Sequence, residues 1–318
     1  MSKTAFISGI TGMDGFLLSN FLLEKGYNIV GLVRKQSSHK IKPHSNIKYL
    51  IGDLNQIEEI LTKLSEVKID EFYMLGGQTS IEPSWEDFVY TFEVNVNSLV
   101  HVLEYIRKNS TDSKLFFASS SEIFGNPNHS PQNENTPKQP RNPYGLSKLM
   151  SQNLIKFYRE KHNIFACSGI LYNHESEYRQ RDVVTKKISS TVAKIYLGEE
   201  SELIVGNIEN KRDWTSAKDF IEGMWLTLQH TTADDYIFSS SKIREVRELI
   251  EVAFQSVGIE DWEKFLKTDK KFYRESEEFN LVGDNSKLKS IGWEQKVTFE
   301  KMIKDMVYSD IERQKNRL

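Results

Sequence analysis

Short runs of β-branched and aromatic residues alternate with amphipathic stretches through the first half of the chain. Strands are predicted at residues 5–8, 29–33, 47–50, 71–75, 114–119 and 165–171. Between them, apolar positions recur at helical spacing over 16–25, 57–64, 89–108 and 144–162. Alternation in this order builds a parallel sheet covered on both faces, and right-handed crossovers make it doubly wound. After Asn173 the rhythm loosens, with a helix at 183–197, a short strand at 203–205 and another helix at 217–229. Helical stretches at 246–257 and 299–315 flank an irregular charged segment, 268–284, read as a loop and edge strand over a cleft. The expected organisation is α/β: residues 1–172, with 214–237 returning to them, form a dinucleotide-binding domain. Residues 173–213 and 238–318 form a smaller C-terminal α/β domain for substrate. The stretch 126–142, rich in Pro, Asn and Gln, is the most loop-like part of the first half, and no internal repeat is visible.

Composition narrows this picture. The 318 residues are 38% hydrophobic, ample for such a core, and 27% charged with a formal net charge of only −3. No basic field exists to hold a nucleic-acid backbone, so no nucleic-acid partner is expected. The single cysteine, Cys167, sits in the apolar run Ile164-Phe165-Ala166-Cys167 and reads as a core thiol, which leaves no disulfide framework and no multi-cysteine zinc site. The apolar run at the N-terminus is short and quickly broken by glycine. It is neither a signal peptide nor a membrane helix, and a cytoplasmic protein without a membrane partner is expected.

Chemistry first enters at Gly9-Ile10-Thr11-Gly12-Met13-Asp14-Gly15, which follows the first strand and opens the first helix. A side chain at Gly9 or Gly12 would block the tight turn or the approach of a pyrophosphate, and a helix N-terminus supplies N–H donors and partial positive charge. At the end of the second strand, where an acidic residue would hold the free ribose hydroxyls of NAD, the chain has Arg34-Lys35, cations suited to the extra phosphate of NADP. Asp53, in Gly52-Asp53-Leu54, reads equally well as an adenine neighbour or as a helix cap.

Tyr144-Gly145-Leu146-Ser147-Lys148 puts a phenol and an ammonium four residues apart, on one face of a helix. A lysine beside a tyrosine lowers the phenol pKa and can bond a nicotinamide ribose. Tyrosinate can then take a proton from a sugar hydroxyl while hydride leaves to the cofactor. Upstream, Ser119-Ser120-Ser121-Glu122 ends the fifth strand, where open parallel sheets carry their ligands. Ser120 can bond the reacting hydroxyl. Glu122 is superfluous for simple redox chemistry but suits removal of a proton next to a ketone.

Several stretches together resemble the GDP-mannose 4,6-dehydratase family, nearly end to end. They are the 9–15 turn with Leu22-Leu23-Glu24-Lys25-Gly26-Tyr27, Gly52-Asp53-Leu54, Leu75-Gly76-Gly77-Gln78-Thr79, the 119–125 and 142–148 stretches, Asn173-His174-Glu175-Ser176, Val184-Thr185-Lys186-Lys187-Ile188, Gly206-Asn207, Lys211-Arg212-Asp213-Trp214, Gly283-Asp284 and Gly292-Trp293. The resemblance implies a Rossmann-type, NADP-dependent enzyme of the short-chain dehydrogenase/reductase group. The family's catalytic Thr-x-Glu falls on Ser120 and Glu122, with the hydroxyl kept, and its tyrosine and lysine fall on Tyr144 and Lys148. Cofactor contacts are implied for Gly9, Thr11, Gly12, Met13, Asp14, Gly15, Arg34, Asp53, Leu54, Leu75, Gln78, Tyr90, Tyr144, Lys148, His174 and Arg179. Substrate contacts are implied for Ser120, Glu122, Asn173, Lys187, Arg212, Arg274 and Glu277. No metal is called for.

The chain departs from the family's pattern at Met13, where Gln is usual, at Gly76-Gly77, and at Glu177-Tyr178-Arg179, where Pro-Arg-Arg is usual. The basic loop after Arg34 is also reduced, in a region that in the family contributes to tetramer contacts. The expected activity is a GDP-sugar 4,6-dehydratase on a hexose or heptose, acting as a homodimer or homotetramer. A reductase or epimerase of 4-keto-6-deoxy sugar nucleotides is the alternative, and a non-catalytic cofactor-binding module a more distant one. Trp85, Phe88 and Phe92, at helical spacing, read as core or subunit contact.

Overall fold

The computed structural model describes residues 2–180, 183–269, 271 and 281–316. Seven parallel strands form one sheet: β1 (Thr4–Ser8), β2 (Asn28–Val33), β3 (Ile47–Ile51), β4 (Glu71–Met74), β5 (Lys114–Ser120), β6 (Ala166–Leu171) and β7 (Asp235–Phe238). Their spatial order is β7-β6-β5-β4-β1-β2-β3. The order reverses direction between β1 and β4, which opens a crevice at the carboxyl ends of those strands.

Period-two alternation sends successive strand residues to opposite faces. Phe6, Val30, Leu32, Phe72, Leu115 and Phe117 pack under helices α2 (Ile57–Leu64), α3 (Ser98–Asn109) and α4 (Pro143–His162). Ala5, Ile7, Ile29, Tyr73, Phe116 and Cys167 pack on the other side with α1 (Met13–Glu24) and α6 (Ala217–Gln229). Cys167 is fully buried, and burial pushes its thiol up to about 11. A separate core joins α5 (Val184–Tyr196), α7 (Val246–Gln255) and α8 (Phe299–Lys315) around Val192, Leu249, Phe254, Ile303 and Met306. Among the described residues, no helix is long and apolar enough to cross a membrane.

Two elements differ from their sequence expectation. Helix α1 starts at Met13, at the glycine turn itself, because a glycine-rich turn carries no hydrophobic periodicity by which to mark a helix start. The predicted helix 89–108 is a helix at Phe88–Phe92, a π-turn at Glu93–Asn97, and then α3. The π-turn holds Asn95, a buried polar residue between Val94 and Val96. Its Nδ2 donates to Ser147 Oγ at 2.9 Å and to the Gln78 carbonyl at 3.0 Å, and its Oδ1 accepts from Gln78 N at 2.9 Å. Asn95 thereby ties the loop after β4 to α4.

The core reading fails for two aromatics. Trp85 is 64% exposed and Phe88 46%, with Phe88 stacked on Phe92 at 4.8 Å. They sit on short helices that pack on α4 from outside the sheet, so the sheet offers them no cover.

Candidate active site

The dinucleotide turn is set by steric need. Gly9 has φ +73°, and a Cβ on Gly15 would lie 2.3 Å from the Gly9 carbonyl oxygen, so the helix can start this close to the strand only with glycine there. Gly12 occupies the N-cap of α1 and brings no side-chain cap, which leaves the first-turn N–H groups to an anionic ligand. This cradle fits a dinucleotide pyrophosphate. Thr11 belongs to the same turn, and Met13 is buried beneath it.

Asp14 turns its carboxylate toward the short strand Asn173–Glu175. His174 Nε2 lies 3.0 and 3.1 Å from its two oxygens, and His174 Nδ1 lies 2.8 Å from the Tyr172 carbonyl. Burial opposes the imidazolium, but the Asp14 charge outweighs it and raises the His174 pKa; burial likewise opposes ionised Asp14, whose pKa His174 nonetheless lowers. Arg179 bonds Glu175 Oε2 at 2.5 Å and the His174 carbonyl. These two implied cofactor residues therefore brace the turn through protein contacts.

At the far end of the crevice, Arg34, Asp53 and Tyr90 come together. The Tyr90 hydroxyl reaches Asp53 at 3.3 and 3.4 Å, and burial and the Asp53 charge raise its pKa against the lowering effect of the nearby Arg34 guanidinium. Asp53 also caps the following turn by accepting from Asn55 N at 3.4 Å, which is its capping reading. Leu54 is buried against the Gly76 position, and Leu75 and Gln78 line the loop that follows β4.

The reactive groups converge where β5 ends against α4. Ser120 Oγ accepts from Glu122 N at 3.2 Å, capping the turn Ser121–Phe124. Burial raises the Tyr144 phenol to about 12, with a hydrogen bond from Ser120 acting to lower it and the Glu122 and Asp14 charges to raise it. Lys148 is 2% exposed and donates to the Ala118 carbonyl at 2.8 Å; burial alone pushes its ammonium down to about 7. It lies 5.9 Å from the Tyr144 ring centroid. A lysine buried without a carboxylate partner, beside a tyrosine, suits ribose hydroxyls and a phenol that must give up its proton.

Asn142 caps α4 with Oδ1, 2.7 Å from Gly145 N, and its Nδ2 donates to Glu122 Oε2 at 3.0 Å. Ser84 Oγ accepts from Tyr144 N at 3.2 Å. Asn95 and Ser84 were not singled out from the sequence, and Asn142 entered only within the 142–148 stretch, without a role of its own. The one available signal was a polar residue inside the apolar run Val94-Asn95-Val96.

On the substrate side, Asn173 is exposed and donates to the Asp213 carbonyl at 3.4 Å, in the short ladder of Asn173–Glu175 with Trp214–Ser216. Arg212 opens the neighbouring ladder opposite Arg244. Asp213 is buried and accepts from Ser240 N at 2.7 Å, Ser241 N at 3.2 Å and Gly283 N at 3.4 Å. Burial raises its carboxyl to about 6 against those hydrogen bonds. Lys187 stands in the first turn of α5, its ammonium lowered by partial burial. Arg274 and Glu277 lie outside the described residues.

A family model described as GDP-mannose 4,6 dehydratase matches residues 6–306. GDP-mannose 4,6 dehydratase 1 of Arabidopsis thaliana is 39% identical over 98% of this chain and 90% of its own length. The Homo sapiens GDP-mannose 4,6 dehydratase is 37% identical over 98% and 92%. Among solved structures, RMD from Pseudomonas aeruginosa complexed with NADPH superposes with a TM-score of 0.82 at 21% identity, covering 98% of this chain and 100% of that one. A dTDP-glucose 4,6-dehydratase from Bacillus anthracis in complex with NAD does so with 0.84 at 18%, covering 99% and 98%. The structural likenesses bear on the fold.

Proposed function

The chain belongs to the GDP-mannose 4,6-dehydratase family, and we propose that it converts GDP-mannose, or a closely related GDP-hexose or GDP-heptose, into the 4-keto-6-deoxy sugar nucleotide. The observation that carries this reading is a carboxylate, Glu122, in the same site as Ser120, Tyr144 and Lys148. A simple reductase of a 4-ketone has no use for it.

When bound, the nicotinamide accepts hydride from C4 of the sugar and later returns it to C6. The protein moves the protons. Tyr144, with Ser120 on the same hydroxyl, takes the C4 hydroxyl proton, and Lys148 stabilises the phenolate and holds the ribose. Once C4 is a ketone, the C5 proton is acidic and Glu122 removes it. The C5–H electron pair forms the C5–C6 double bond as the C6–O bond breaks, and the proton on Glu122 departs with the leaving hydroxide as water. As C6 takes hydride, C5 takes a proton equal to the one that Tyr144 removed from the C4 hydroxyl, passed on through the site's water. Tyr144 and Glu122 both return to their starting forms, and the sugar loses one water overall with no net oxidation or reduction.

We assign the cofactor as NADP rather than NAD because Arg34 ends β2 where a ribose phosphate would lie, with Asp53 and Tyr90 beside it. Asn173, Lys187 and Arg212, together with Arg274 and Glu277, are assigned to the sugar nucleotide. A homodimer or larger assembly is expected to pair α4 and the helices beside it, where Leu146, Met150 and Phe157 are exposed near Trp85, Phe88 and Val89. A cytoplasmic enzyme follows from the same reading.

The test is incubation with GDP-mannose and a panel of other nucleotide sugars, read by mass for loss of water and by strong-base absorbance for the 4-ketone. No keto product from any GDP-hexose or GDP-heptose would overturn the reading. Full turnover by Glu122→Gln would transfer it to the reductase or epimerase class.

A further inference from the structure

The 20-residue helix α4 begins at Pro143, and its cap, Asn142, is held in extended backbone (φ −145°, ψ 160°) because a residue before proline is kept out of the helical region. One end of the Asn142 amide must be the oxygen, since it meets the N–H of Gly145 at 2.7 Å. Its NH2 group is thereby turned toward Glu122, whose Oε2 it meets at 3.0 Å. The helix also seats directly on the Glu122 backbone: a Cβ at Gly145 would lie 2.6 Å from the Glu122 carbonyl oxygen. One side chain thus fixes both the start of the helix that carries Tyr144 and Lys148 and the orientation of the carboxylate twenty residues upstream.

We propose that Asn142 is a positioning residue for the elimination half of the reaction, aiming the Glu122 carboxylate at C5 through its amide while its oxygen caps α4. This rests on the dehydratase reading above. Capping alone does not require asparagine, because serine and aspartate cap as well. The amide does both from separate atoms, an oxygen on the Gly145 N–H and an NH2 group that reaches the Glu122 carboxylate.

Two variants separate these roles. Asn142→Ser keeps a capping oxygen and removes the NH2 group that reaches Glu122, leaving a shorter hydroxyl engaged at the cap. Asn142→Asp keeps the cap and places a like charge against Glu122. With the cofactor-loaded enzyme and GDP-mannose deuterated at C5 or at C4, Asn142→Ser is expected to lower kcat about tenfold, the equivalent of one charged hydrogen bond, with KM within about twofold. Asn142→Asp is expected to lower kcat further. In both, the isotope effect from C5 deuterium rises and that from C4 deuterium falls, because proton removal at C5 becomes slower than hydride loss. A thermal midpoint near the wild type's shows that the fold and cap persist. Isotope effects unchanged from wild type, whatever happens to kcat, overturn the proposal.

A second measurement does not depend on turnover. A double-mutant cycle of Asn142→Ser with Glu122→Ala, by denaturant unfolding, is expected to show coupling of about tenfold in the unfolding constant. Additive effects there overturn the proposal. A wild type that makes no keto product overturns the dehydratase reading instead, and the cycle still decides the contact.

Discussion

His174 Nε2 lies 3.0 Å from Asp14 Oδ2, a bond that joins the strand after β6 to the first turn of the dinucleotide helix across 160 residues of sequence. Both partners are largely shielded, with side-chain exposures of 13% and 22%. The raised His174 pKa stabilises the fold below the unfolded histidine value and is lost as pH rises through the folded one. The lowered Asp14 pKa stabilises above the unfolded aspartate value and is lost as pH falls through the folded one. The pair therefore contributes most between about pH 4 and 6.5. His174→Gln is expected to cost about 2 kcal/mol of unfolding free energy near pH 5.5, and less in alkali. Urea unfolding of both proteins across that range checks this; an equal cost at all pH values would contradict a charged pair.

Lys148 titrates near 7 before any ligand binds, because burial works against its charge. Raising the pH through about 7 removes the ammonium that would hold the ribose. Cofactor affinity of the wild type is expected to fall over that range relative to Lys148→Met, whose affinity is lower throughout. Fluorescence titration of both proteins at a series of pH values checks it.

Tyr144→Phe is expected to lower kcat by about a hundredfold or more, since the general base at the C4 hydroxyl is lost, with cofactor binding retained. The phenol sits well above its usual range in the unliganded protein. Difference absorbance against Tyr144→Phe should accordingly show no tyrosinate from this residue at neutral pH.

Arg34 is exposed just after β2, close enough to Tyr90 for its charge to act on the phenol. Arg34→Ala is expected to weaken NADP binding about tenfold to a hundredfold and leave NAD binding nearly unchanged, because only the former loses a charge-assisted bond. Calorimetric titration with each cofactor checks the difference.

Glu71 opens the central strand β4, at the end of the sheet opposite the crevice, 1% exposed, and accepts from Lys3 Nζ at 2.9 Å, Tyr27 at 3.1 Å, Tyr73 at 2.8 Å and Gln229 at 3.1 Å. Glu71→Ala leaves the buried Tyr27 and Tyr73 hydroxyls without their acceptor, while the half-exposed Lys3 turns to water, and is expected to cost about 2–4 kcal/mol. Chemical denaturation measures it.

The sequence by itself determined the layered α/β plan, the place of the dinucleotide turn and the Tyr144–Lys148 pair, because these are written in local periodicity and in residues close along the chain. Strand alternation marks a buried sheet, Gly-x-x-Gly-x-x-Gly marks a close approach, and Tyr-x-x-x-Lys shares one helix face by geometry alone. Ser120 and Glu122 were legible from the end of the fifth strand, and the family resemblance matched them to its Thr-x-Glu pair. Only the tertiary structure decided what those residues touch. The π-turn that aims Asn95, the turning of Asp14 toward His174, the meeting of Arg34 with Tyr90 and Asp53, and the Asn142 amide on Glu122 all join groups far apart in sequence. Hydrogen bonds of this kind depend on ångström-scale placement by the packed sheet and helices, to which hydrophobic pattern is blind.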